Sequence, residues 1–207
     1  MRKGIDVSHW QGIIDWTTVK KAGCEFAIIK AGGSDKGFYK DNKFEQNYNN
    51  AKNAGIKVGA YYFVGKKCKS YEDGAADAKR FIDIIAGKQF EYPVYIDFEA
   101  PDTSNKKGNT DACIGFCEVM ENADYFCGIY ASECSGFNER LEDERLQSYS
   151  HWVARYGSKP TSIPERVFGI WQRSSTGKCL GINGNVDINE SYVDFEIVIK
   201  RRGLNGF

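Results

Sequence analysis

The sequence carries no net charge: 28 basic and 28 acidic side chains cancel over 207 residues. Without a broad basic field, nucleic acid is excluded as an expected partner. No apolar run approaches the roughly 20 residues of a bilayer-spanning helix, so no membrane insertion is expected. No leader is visible, because Met1-Arg2-Lys3 runs straight into the strand-like Gly4-Ile5-Asp6-Val7-Ser8. The spacings of a metal site are missing too. The seven cysteines, at 24, 68, 113, 117, 127, 134 and 179, include no C-x-x-C pair, and His9 and His151 stand far apart. Cys113 and Cys117 share a helical face with Phe116 and Met120, so the cysteines read as reduced thiols acting as small hydrophobes. No cofactor and no metal are expected. Linkers and low-complexity tails are absent, which leaves 1–207 as one domain.

What is present is an ordinary globular composition, with 42% apolar residues, enough for a sizeable core. Three segments end alike, Lys20-Lys21-Ala22-Gly23, Lys52-Asn53-Ala54-Gly55 and Ile84-Ile85-Ala86-Gly87. Each glycine suits a left-handed helix stop. Strand-like runs follow, at 25–31, 57–64 and 92–99, and helical periodicity precedes the second and third stops, with Ser70 as an N-cap. A helix over 111–122, a strand over 126–131 and an amphipathic piece around 137–146 continue the alternation. The last three strands, at 151–156, 167–172 and 185–188, are joined by irregular links over 157–165 and 174–184. The pattern predicts an α/β fold of about five β/α units followed by three strands.

The stretch Tyr92-Pro93-Val94-Tyr95-Ile96-Asp97-Phe98-Glu99 alternates through a strand, so Val94, Ile96 and Phe98 share one face and Tyr95, Asp97 and Glu99 the other. Two acids side by side at an apolar strand end suit acid/base chemistry at a glycosidic bond; the plainer reading is solvation or pairing with Lys or Arg. Function in parallel α/β folds collects at carboxyl ends of strands. Asp6 on the first strand and Asp187 on the last join Asp97 and Glu99 there only if the sheet closes into a barrel.

Taken in order, Gly4-Ile5-Asp6-Val7-Ser8-x-Trp10-Gln11-Gly12, Phe26-Ala27-Ile28-Ile29-Lys30-Ala31, Gly59-Ala60-Tyr61-Tyr62-Phe63, Asp97-x-Glu99, Gly128-Ile129-Tyr130, Trp152-Val153-Ala154-x-Tyr156, Ile170-Trp171-Gln172 and Val186-Asp187 resemble the lysozymes of glycoside hydrolase family 25. The resemblance spans nearly the whole chain. It implies a modified TIM-like barrel that hydrolyses peptidoglycan glycan strands between N-acetylmuramic acid and N-acetylglucosamine without metal. It also implies Glu99 as general acid, with a pKa raised by Asp97, and Asp97 as the ionised partner that steadies the transition state or orients the substrate's N-acetyl group. Asp6 and Asp187 follow as supporting acids, the plainer reading of each being a cap or a salt bridge. Strand geometry leaves the stereochemistry open.

Tyr62, Tyr130, Trp152 and Trp171 are candidates to stack on sugars, Tyr62 foremost for its strand-end position, although strand aromatics also build cores. Gln172 is a candidate to hydrogen-bond substrate or to satisfy rim backbone. The chain departs from the family pattern at Gly32-Gly33, where relatives carry a polar and acidic pair, and at Tyr62, where relatives often carry histidine. No wall-binding repeat is seen. The expected protein is a monomer acting on the cell wall, secreted or released as an endolysin. A catalytically silent sugar-binding barrel and a chitinase- or glucosaminidase-like hydrolase are the competing readings.

Overall fold

A computed structural model describes residues 1–164 and 166–207; the Glu165 end of the expected 157–165 link lies outside the described residues. The strands are β1 (Arg2–Val7), β2 (Phe26–Gly33), β3 (Tyr39–Lys40), β4 (Lys57–Phe63), β5 (Val94–Asp97), β6 (Cys127–Ser132), β7 (Ser150–Ala154), β8 (Phe168–Gly177) and β9 (Val186–Ser191). The helices are α1 (Trp16–Lys21), α2 (Phe44–Asn53), α3 (Tyr71–Ile85), α4 (Lys106–Glu121) and α5 (Phe195–Arg202). The sheet runs β1-β9-β8-β7-β6-β5-β4-β2, and β1 also pairs with β2, so eight strands close on themselves while β3 folds back on the end of β2. Closure removes the exposed edges of an open sheet.

Local sequence explains the units. Gly23, Gly55 and Gly87 all take positive φ, as the three expected helix stops require. The Ser70 side chain accepts from the Asp73 amide and starts α3, and Asp15 does the same for Thr18 at α1. The first four β/α units carry true helices. The fifth is reduced to one π-helical turn (Glu133–Asn138) and a short 3-10 turn (Asp143–Leu146), which together replace the expected amphipathic piece. Gly32 and Gly33 serve the backbone: a Cβ on Gly32 would lie 2.3 Å from the Tyr39 carbonyl oxygen, so glycine is what lets β3 return so closely.

Alternation along the strands sorts side chains into two layers. Ile5, Val7, Ala27, Ile29, Val58, Ala60, Val94, Ile96 and Ile129 point outward and pack beneath the helices. Phe26, Ile28, Tyr95, Tyr130, Trp152 and Ile170 fill the barrel interior. Cys113, Phe116, Cys117 and Met120 of α4 are buried, as their spacing predicts, and all seven cysteines are free thiols. The interior is sealed at its amino end by α5, which the sequence reading does not anticipate. Phe195 packs on Tyr92 and Phe126 at ring-centre distances of 5.6 and 5.8 Å, and Tyr92 stacks on Phe26. Beyond α5, the buried Asn205 amide donates to the Phe90 and Tyr92 carbonyls and its Oδ1 accepts from the Phe126 amide. With one end plugged, the interior opens only where the parallel strands finish.

Candidate active site

β9 runs antiparallel to both β8 and β1. Its start therefore lies at the mouth where its neighbours end, and this sets Asp187 directly across from Asp6. Asp6, 5% exposed, is held by a satisfied network. Its Oδ2 accepts from Gln172 Nε2 at 3.0 Å and from Asn189 Nδ2 at 2.7 Å. Gln172 Oε1 in turn accepts from the hydroxyls of Tyr130 (2.9 Å) and Tyr156 (3.2 Å), and Asn189 Oδ1 accepts from Trp152 Nε1 (2.8 Å). Burial first, and then the Asp187 charge, raise the Asp6 pKa well above the carboxylate range; burial also raises that of Asp187. The two face each other across the β1–β9 pair.

β5 ends at Asp97, and Glu99 stands two residues beyond it. Backbone pairing continues through this point: Val64 N–H donates to the Asp97 carbonyl and Phe98 N–H to that of Tyr130. Asp97 points inward and is 5% exposed, and among the described residues no group donates to its buried Oδ1. Its pKa is pushed well up, by burial and then by Glu99, against the opposing pull of Lys30. The Glu99 carboxyl reaches solvent at the rim. Burial of its inner part raises its pKa, and Arg140 and Lys30 oppose the rise. Among the described residues Glu99 makes no ion pair, so the plainer reading of a lysine- or arginine-paired strand end is not what the structure has. The groups act on one another through their charges: Glu99 and Asp6 raise Asp97, and Asp187 raises Glu99. The sequence expectation that Asp97 raises Glu99 needs amending. Glu99 is raised by burial, with Asp97 not among the causes, whereas Asp97 is raised by burial and then by Glu99.

The aromatic candidates divide. Tyr130 is inward and beside the acids, though its hydroxyl is committed to Gln172. Trp152 is inward but only 1% exposed, wedged between Tyr130 (4.4 Å) and Tyr95 (5.3 Å); it is the floor of the site and no sugar reaches it. Tyr62 is a correction: it is fully buried on the outer face, against Phe81 and Phe116 of the helix layer, with its hydroxyl toward Asp77. Val58 and Ala60 set that phase. Trp171 is a second correction. Partner residues skip Gly169, a bulge that re-phases β8 so that Ile170 and Gln172 face inward and Trp171 faces outward, its Nε1 donating to the Arg155 carbonyl. Gln172 spends its amide on Asp6 and the two tyrosines rather than on the rim backbone.

Residues that sequence reasoning missed occupy those places. Tyr61, in the alternate phase of β4, is half-buried among the fields of Asp6, Asp97 and Asp187, which with burial keep its hydroxyl protonated. Tyr156 is 56% exposed, within the fields of Asp187, Asp6 and Glu99. Lys30, 9% exposed on the inner row of β2, holds its Nζ 4.5 Å from the Phe63 ring centre and 5.9 Å from that of Tyr61. A lysine in the otherwise apolar run Phe26-Ala27-Ile28-Ile29-Lys30-Ala31 was the available signal. Among the described residues no group of three or more His, Cys, Asp or Glu side chains is arranged to hold a metal ion.

A closed β/α barrel with paired acids and rings at the carboxyl mouth has the plan of a glycoside hydrolase. Comparison with known proteins bears this out. The model of glycosyl hydrolases family 25 matches residues 5–182. Lysozyme M1 of Streptomyces globisporus is 32% identical over 209 residues, covering 91% of this chain and 67% of the relative. Among solved structures, the CTP1L endolysin superposes with a TM-score of 0.82 at 27% identity, over 97% of this chain and 70% of that one. The bacterial lysozyme from Streptomyces coelicolor gives 0.77 at 30% identity, over 99% and 96%. The chain belongs to glycosyl hydrolase family 25. It spans about half to two thirds of the length of the curated relatives it matches.

Proposed function

We propose that the protein is an N-acetylmuramidase that cleaves the β-1,4 bond between N-acetylmuramic acid and N-acetylglucosamine in peptidoglycan, acting on the cell wall as a monomeric catalytic unit. The observation that carries the reading is the pairing of a dry Asp97, whose Oδ1 has no donor among the described residues, with a wet Glu99 at the barrel mouth. A saccharide covering the mouth strips water from Glu99 and raises its pKa further. At the same time the N-acetyl N–H of the sugar donates to the edge of the Asp97 carboxyl that faces the mouth, which stabilises the Asp97 carboxylate. Binding thus favours a proton on Glu99, which delivers it to the leaving glycosidic oxygen. Asp97 orients the N-acetyl carbonyl toward the anomeric carbon, and Lys30 helps hold the inner carboxyl ionised. Asp6 and Asp187 brace the mouth. Tyr61 and Tyr156 offer rings to the sugar faces, above Tyr130.

A silent sugar-binding barrel has no use for an unpaired acid beside a desolvated one, and a chitinase-like cut leaves a different reducing end. Mass spectrometry of purified peptidoglycan digested with wild type and with Glu99→Gln tests both. Reducing-end muramic acid from the wild type alone is expected; reducing-end glucosamine, or equal digestion by both proteins, would overturn the proposal.

A further inference from the structure

A cavity of about 770 Å³ opens beside the acids, between the loop after β2, the loop after β4 and the first turns of α3. Ala100, next to Glu99, and Phe63, the strand partner of Asp97, form its inner wall. The cavity therefore begins one residue from each proposed catalytic acid and runs outward from them. Two of its three acids are already engaged. Asp77 accepts from Ser34 Oγ (2.8 Å), Tyr62 and Arg80, and Asp73 accepts from the Lys69 amide (3.1 Å). The third acid, Asp35, is exposed near Tyr39. Its lysines are not engaged: Lys36, Lys66 and Lys67 are exposed and, among the described residues, form no ion pair. At the outer rim Phe38 is 53% exposed, with the Arg80 guanidinium 5.7 Å from its ring centre.

The surplus charge is positive, the walls carry apolar patches, and the loop backbone is accessible. Those features suit an extended peptide bearing carboxylates better than another sugar, which would call for neutral hydrogen-bonding groups and flat rings. Resting on the muramidase reading, we infer that this cavity takes the stem peptide that muramic acid carries on its lactyl group. The sugar bound against Asp97 and Glu99 must direct that substituent somewhere, and the cavity starts beside them, at Phe63 and Ala100. Lys36, Lys66 and Lys67 receive the carboxylates of the peptide, and Phe38 and Phe63 receive its alanyl side chains. The site thereby selects glycan that still bears peptide over glycan that has been stripped.

The test compares kcat/KM on uncrosslinked glycan strands carrying stem peptides with kcat/KM on the same strands stripped by an amidase. Three partly exposed ion pairs predict a preference of about tenfold for peptide-bearing strands, falling to about one in the combined variant K36E, K66E, K67E. A ratio near one in the wild type, or a ratio the variant leaves intact, overturns the inference. Failure of the muramidase reading looks different, since neither substrate then yields reducing-end muramic acid. In that case NMR titration of 15N-labelled protein with a synthetic stem pentapeptide decides the matter. Shifts at the amides of Lys36, Gly65, Lys66 and Lys67 support the site. Their absence, or shifts produced by oligomeric glycerol phosphate and not by the peptide, overturns it.

Discussion

Asp97 and Glu99 differ by two positions and by their access to water, and their chemistry follows from that difference. Glu99 is unpaired and solvated, so replacing it costs the fold little. Glu99→Gln is expected to lose about 10²- to 10⁴-fold in kcat while stability moves within about 0.5 kcal/mol, checked by turbidity assay and chemical denaturation. Asp97 carries the opposite signature. Its native pKa is raised by burial and by Glu99, so over the interval above the ordinary carboxylate range the native state holds a proton that the unfolded chain has released. That stabilisation is complete below about pH 4 and is lost as pH rises through the raised value. Asp97→Asn cannot ionise. Its unfolding free energy is therefore expected to gain on the wild type as pH rises above about 4, until the raised value is passed, while turnover is lost. Parallel stability curves for the two proteins would contradict the burial argument.

Period-two alternation governs the strands, and most of the site was legible through it. Asp6, Asp97 and Asp187 all fall on inner rows because Ile5 and Val7, Ile96, and Val186 and Ile188 take the outer ones. The same rule, applied strictly, would have corrected Tyr62, which shares its phase with Val58 and Ala60; position at the strand end was the weaker guide. Trp171 was not recoverable in this way, because the bulge at Gly169 shifts the phase without leaving a mark in the apolar pattern. α5 went unseen because its apolar face is short, Phe195 and Ile199, and its value lies in plugging a barrel end that only the closed sheet creates. Two substitutions test these placements. Tyr62→Phe is expected to keep kcat/KM on peptide-stripped glycan strands within about twofold, since only a 3.3 Å bond to Asp77 is lost, on the outer face of the barrel. Phe195→Ala is expected to cost about 3–5 kcal/mol by emptying the plug, with kcat per folded molecule retained. A large loss of kcat/KM in the first variant would return Tyr62 to the groove.

At the scale of the whole molecule, ring closure does the gathering. Four acids from the first, fifth and last strands of the chain's order meet because β1 finds both β2 and β9, and because β9 alone among the barrel strands runs backward and so begins at the mouth. Plugged by α5 at the other end, the barrel presents one working face, with rings, acids and the adjoining lysine-lined cavity side by side. The central claim is that this face places a proton on Glu99 for delivery to the bond on the reducing side of muramic acid. The most direct measurement is mass spectrometry of the fragments released from purified peptidoglycan by wild type and by Glu99→Gln. The account predicts fragments ending in reducing muramic acid from the wild type and none from the variant; fragments ending in reducing glucosamine, or the same muramic ends from both proteins, would contradict it.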